Sequence, residues 1–194
     1  STYQAGKIFV LGSHNEQLSI SFLDYDRPMG IAVGADRIAL GVANAVHFLK
    51  ASHAVAENVQ PRGRYDGCFV PHSSRHTGRI LGHDLAWGSD GLWIVNTLFS
   101  CLCTLDDIHS FVPRWKPSFI SILADEDRCH LNGLAMEHGT PRYVTSLATS
   151  DSAAGWRSDK ARTGCLIDVQ SGDPLTNSLC MPHSPGIHNN HLYV

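Results

Sequence analysis

Four residues open similar stretches of this 194-residue chain at near-constant spacing: Met29, His83, Asn132 and His183, in steps of 54, 49 and 51 residues. Two are histidines and one is an asparagine. Imidazole nitrogens suit Zn or another transition metal, whereas amide and carboxylate oxygens suit Ca. His83, Asn132 and His183 are therefore the candidate ligands of a divalent metal, provided the fold brings equivalent positions together. Carboxylates lie close by in sequence. Asp84 follows His83, and Glu126-Asp127-Arg128-Cys129-His130 leads into Asn132. Glu126 or Asp84 is the candidate general base for a metal-bound water, or a partner that orients a histidine. Arg128 is the candidate anion-orienting group. Asn96 and Thr97, at the end of the strand after His83, join His130 as candidate substrate contacts. The plainer alternative is a polar channel filled with solvent, in which Asn and Asp make local turn hydrogen bonds.

Other chemistry-bearing residues read more simply. The chain has 12 histidines against 15 lysines plus arginines, which is a reason to ask where the histidines fall. His72 and His76 sit in His72-Ser73-Ser74-Arg75-His76, which reads as a loop. His188 and His191 flank Asn189-Asn190 in an expected hairpin turn. Cys129 and His130 are adjacent, and on a strand adjacent side chains point to opposite faces, which argues against a thiol–imidazole pair. Trp87, Trp93, Trp115 and Trp156 recur among the strands as packing residues. The arginines at 114, 128, 142, 157 and 162 form no phosphate-tracking stripe. The nucleotide-binding, zinc-protease and hydrolase-elbow motifs are absent.

The elements that must position the candidate residues are short strands. Residues 7–11, 18–23, 91–98, 101–105 and 165–169 are apolar runs cut by Gly, Asp, Asn, Ser and Pro. Asp90-Gly91 signals a two-residue hairpin, and Ser171-Gly172-Asp173 a second turn. Residues 37–56 read either as a helix or as two strands with a break. The repeated openings are Met29-Gly30-Ile31-Ala32-Val33, His83-Asp84-Leu85-Ala86-Trp87, Asn132-Gly133-Leu134-Ala135-Met136 and His183-Ser184-Pro185-Gly186-Ile187. A period near 50 residues, with about four strands per unit, predicts an all-β chain built as a β-propeller. A β-sandwich is the alternative. The units run 29–82, 83–131, 132–182 and 183–194, the last one incomplete, within a single domain spanning 1–194. The expectation is a fragment of a longer propeller, or one completed by another copy or chain. In a propeller the first strand of each blade lines the central channel, so Met29, His83, Asn132 and His183 would converge on one axis.

Composition narrows the function classes. The chain is 43% hydrophobic and 17% charged, with a formal net charge of -3, so disorder and a nucleic-acid surface are not expected. No apolar run reaches membrane-span length, and the N-terminus lacks signal-peptide features, so the expected location is cytoplasmic. The six cysteines form no C-x-x-C pair and read as reduced, mostly buried thiols.

The motifs Arg27-Pro28-Met29-Gly30, Val95-Asn96-Thr97-Leu98-Phe99-Ser100-Cys101-Leu102, Glu126 to Ala135 and Met181-Pro182-His183-Ser184-Pro185 resemble a DUF4915-like family of bacterial proteins described only as conserved hypothetical. The resemblance runs over nearly the whole chain. It implies membership and longer relatives, and carries no reaction. A looser similarity, to gluconolactonase and NHL-type propellers, implies a metal in the central channel held by side chains from several blades. His83, Asn132 and His183 occupy similar places. Two functions follow as expectations. One is a metal-dependent hydrolase or lyase acting on a small polar molecule such as a lactone or sugar acid. The other is a non-catalytic propeller that binds a protein or glycan on one face, through loops such as 71–78 or 150–163.

Overall fold

A computed structural model describes all 194 residues. Its regular structure is almost wholly β, and none of its helices is long and apolar enough to cross a membrane. Three four-stranded antiparallel sheets follow one another, and in each the strands lie side by side in chain order. The first contains β1's successors: after the hairpin of β1 (Lys7–His14) and β2 (Gln17–Asp24) come β3 (Ile31–Val33), β4 (Arg37–Gly41), β5 (Ala45–Ala51) and β6 (Phe69–His76). The second sheet holds β7 (Gly82–Gly88), β8 (Gly91–Asn96), β9 (Cys101–Thr104) and β10 (Val112–Trp115). The third holds β11 (Leu131–Glu137), β12 (Thr140–Ser146), β13 (Gly164–Asp168) and β14 (Pro174–Leu179). A last hairpin pairs β15 (Gly186–His188) with β16 (His191–Tyr193). No sheet closes on itself.

Local chemistry explains most of these elements. The Asp90-Gly91 turn joins β7 to β8, with Gly91 at a positive φ of 130° and paired across to Gly88. Residues 37–56 resolve as two strands, β4 and β5, followed by a four-residue helix α1 (His53–Ala56) that Ser52 caps through its hydroxyl. The strand reading wins because residues 37–41 pair with 46–50 in continuous register. Residues 72–76, read above as a loop, are instead the outer half of β6, paired to β5. As the outermost strand of its sheet, β6 leaves most of its side chains in solvent, so its sequence needs no apolar alternation.

The core lies between successive sheets. Ile94, Cys101 and Cys103, with Leu85 of β7, pack against Ala39 and Val46 of the first sheet. Val95 and Leu102, their chain neighbours, pack toward the third sheet with Leu131, Val144 and Ile167. Alternating side chains of β8 and β9 therefore serve two interfaces, which is why these strands are apolar on both faces. Full burial of residues such as Ile94 and Leu102 contributes about 1.5–3 kcal/mol each. Trp87 joins the first interface, and Trp93 and Trp115 the second. All six cysteines are free, four of them buried.

The first strands of successive sheets touch: β3 meets β7, β7 meets β11, and β11 meets β15. Glycine permits this approach. A Cβ at Gly30 would lie 2.9 Å from the Asp84 backbone, and one at Gly133 2.9 Å from the Ser184 nitrogen. The Gly30 amide also donates to the Gly82 carbonyl at 3.1 Å, tying the first sheet to the second.

Candidate functional site

Because first strands are neighbours, residues at their starts come together. His83 is the second residue of β7, Asn132 the second of β11, and His183 lies three residues before β15. The His83 and His183 ring centroids are 6.3 Å apart. His183 donates from Nδ1 to the Met181 carbonyl at 2.8 Å, which leaves Nε2 as an acceptor. The Asn132 amide nitrogen faces that Nε2 at 3.4 Å, and the Asn132 amide oxygen accepts from the Thr145 hydroxyl at 2.6 Å. Met29 occupies the corresponding position before β3.

The centre of the cluster is His130. It sits in the turn that enters β11, with a positive φ of 52°, three residues after Asp127, whose φ is 48°. This geometry aims its Nδ1 at the Asp127 carboxylate, 2.9 and 3.0 Å from the two oxygens. Asp127 is only 8% exposed and also accepts from the Trp156 indole N–H at 3.0 Å. The His130 ring lies 4.2 Å from the Trp156 ring on one side and 4.8 Å from His83 on the other. Trp156 itself is held by a short 3-10 turn at Gly155–Ser158 and packs on Leu147 and Ala148. The carboxylate thus fixes both the ring orientation and the tautomer of His130, with the proton on Nδ1 and the Nε2 lone pair directed away from Asp127.

Burial and like-sign neighbours tune the adjacent groups. Desolvation, reinforced by His130 and His183, lowers the His83 pKa to about 3, so this imidazole is neutral at pH 7. Desolvation raises the Asp84 pKa to about 6, against the lowering effect of the Leu134 and Leu85 backbone N–H groups that its carboxylate accepts at 3.0 and 2.9 Å. Asp84 therefore bridges β7 to β11, and both its oxygens are engaged by backbone.

Other residues expected at the site are engaged by their own neighbours. Glu126 and Arg128 share one ion-pair network with Asp151. Arg128 donates to Glu126 at 2.8 Å and to Asp151 at 2.7 Å, and its side chain is only 11% exposed. It clamps residues 121–128 to the segment around Asp151, since Ser121 also donates to Asp151 through its backbone. Asn96 and Thr97 are fully buried. The Asn96 oxygen accepts from the Phe99 amide at 3.0 Å, and the Thr97 hydroxyl donates to the Leu131 carbonyl at 2.5 Å. No group of three or more His, Cys, Asp or Glu side chains is arranged to hold a metal ion. Two of the three expected ligands, Asn132 and His183, spend their facing atoms on each other.

The residues missed from sequence are Asp127, Trp156 and Thr145. The available signal was the three-residue spacing from Asp127 to His130. It was hidden by treating Cys129 and His130 as strand neighbours, when both precede the strand.

A family model described as a domain of unknown function matches residues 1–194. No curated protein matches the chain.

Proposed function

We propose, for a chain that belongs to the DUF4915 family along its whole length, that the successive sheets are blades of a β-propeller, three complete and a fourth begun by β15 and β16. On this reading the histidine cluster lies at the central channel and is a hydrolase or lyase site for a small polar molecule. The observation that carries the reading is the Asp127–His130 pair beside a neutral His83. A buried carboxylate that accepts from Nδ1 leaves Nε2 as a general base. In hydrolysis of a lactone, His130 takes a proton from water as the water oxygen bonds to the acyl carbon. The ring C–O bond then breaks, and the proton returns to the leaving oxygen. His83, neutral at pH 7, donates a hydrogen bond to the carbonyl oxygen as its negative charge develops. Asn132 and Thr145 hold His183 in place at the rim.

The test is turnover of a panel of lactones and sugar-acid esters by wild type, His130→Ala and Glu126→Gln. Loss of general-base help lowers the rate of His130→Ala by about 10²–10⁴-fold, whereas Glu126→Gln keeps most activity. Full turnover by His130→Ala overturns the reading. A folded wild type that turns over nothing in the panel moves the reading to the protein- or glycan-binding alternative.

A further inference from the structure

We infer that the groove between the first and second sheets, at the end of β7 away from His83, is a binding site for a small organic anion. Its carboxylate or phosphate group sits between Arg37 and Lys50, and its apolar body lies on Phe48. Strand register builds the cationic wall. Arg37 stands directly across from Lys50, Ala39 from Phe48, and Phe48 in turn from Ser73 of β6. Because side chains alternate along a strand, Arg37, Ala39, Phe48 and Lys50 share one face of the first sheet. Ala39 is packed in the core shared with the second sheet, so this face is the one turned toward that sheet. Its inner end is closed by packing. Its outer end opens into a groove of about 390 Å³, lined by Arg37, Phe48, Lys50, His72, Arg75 and Trp87 among others.

The charges of the groove call for an anion. Like charges directly opposite on neighbouring strands repel, and no carboxylate pairs with Arg37 or Lys50. Asp36, the one carboxylate that lines this groove, forms an ion pair with neither. Arg75 is already paired with Asp107 at the rim. Arg37 lies instead on the Trp87 ring, 3.8 Å from its centroid, and the Trp87 indole is fixed by its donation to the Ala32 carbonyl at 3.2 Å. A guanidinium is thus held on a rigid platform beside a second unpaired cation. A local rule broken without a compensating contact inside the chain is the mark of a functional site, and an anion between the two cations supplies that contact. Phe48, its ring 6.2 Å from that of Trp87 and only half-buried, adds an apolar surface that a bare inorganic ion would leave uncovered. The groove is separate from the histidine cluster, since Trp87 stands four residues beyond His83 on β7, about 13 Å along the strand.

The experiment is titration of the 194-residue chain with phenyl phosphate, benzoate and inorganic phosphate, for wild type, Arg37→Ala and Lys50→Gln. Nitrogen–proton NMR of the Trp87 indole and the Arg37 guanidinium reports binding. Wild type is expected to show saturable shifts at both groups with at least one of the two aromatic anions, and the tighter of them tells phosphate from carboxylate as the anionic group. Inorganic phosphate is expected to bind about tenfold more weakly than phenyl phosphate, for want of the Phe48 contact. Each substitution is expected to weaken binding of the aromatic anion by about tenfold. Both substituted side chains are exposed, and Lys50→Gln removes a repulsion, so its urea midpoint is expected at or above that of wild type. The inference is overturned if neither aromatic anion shifts the Trp87 indole, or if inorganic phosphate binds as tightly as phenyl phosphate. It is equally overturned if Lys50→Gln lowers the midpoint or leaves binding unchanged.

Discussion

Asp84 and His83 are chain neighbours whose burial acts on them in opposite directions, and this fixes how stability responds to pH. Asp84 is raised from 3.8 to about 6 in the folded chain. The folded state therefore holds this proton more tightly than the unfolded chain does, and the associated stability is present below pH 3.8 and lost as pH rises through 6. His83 is lowered from 6.5 to about 3. Its contribution is present above pH 6.5 and is lost as pH falls through 3. Between pH ~4 and ~6 the unfolded chain carries one extra proton on His83 and the folded chain one extra proton on Asp84. The two slopes, each about 1.4 kcal/mol per pH unit, cancel. Wild type should be nearly flat across this window as far as these two groups are concerned. His83→Gln removes one arm, and stability should then fall by about 3 kcal/mol from pH 4 to 6. Asp84→Asn removes the other, and stability should rise by a similar amount over the same range. The assay is urea unfolding at half-unit pH steps, in which about 3 kcal/mol moves the midpoint by about 1–2 M. Parallel pH profiles for all three proteins would refute the assignment of opposed burial effects to this pair.

Three further outcomes follow from the packing around the site. Asp127→Ala leaves the buried donors of His130 and Trp156 without an acceptor, at about 1–3 kcal/mol for each; thermal unfolding should show the loss, and Asp127→Asn should recover part of it. Gly133→Ala puts a methyl group against Ser184 and Pro185 and should cost about 1–3 kcal/mol. Limited proteolysis should then cut the segment before β15 sooner than in wild type. Ile94→Ala, at a fully buried position between the first two sheets, should cost about 2–5 kcal/mol in the same unfolding assay.

The convergence of His83, Asn132 and His183 was legible because their spacing repeats, and a repeat of short strands with similar turns places equivalent residues on neighbouring first strands. The Asp90-Gly91 hairpin and the strands at 91–96 and 101–104 were legible for local reasons, through turn chemistry and continuous apolar runs. Roles were harder to read than positions. Glu126, Arg128 and Asp127 lie within three residues of one another, and only the loop path decides which carboxylate meets the arginine and which the imidazole. Asn96 and Thr97 looked available because they are polar at a strand end, but tertiary packing buries them to hold the following turn. The strand at 69–76 was obscured for the opposite reason, since an outer strand pairs through backbone and its side chains carry no period. Trp156 reaches Asp127 from 29 residues away, a contact that no local pattern encodes.

The reading of the site turns on whether Asp127 holds the proton of His130 on Nδ1 and leaves Nε2 free. Long-range nitrogen–proton NMR of the histidine side chains, in wild type and Asp127→Asn at pH 7, measures this directly. The account predicts a His130 proton held on Nδ1 in wild type, with that preference lost in Asp127→Asn, and a neutral His83 in both. A His130 protonated on Nε2 in wild type, or unchanged by Asp127→Asn, would contradict it.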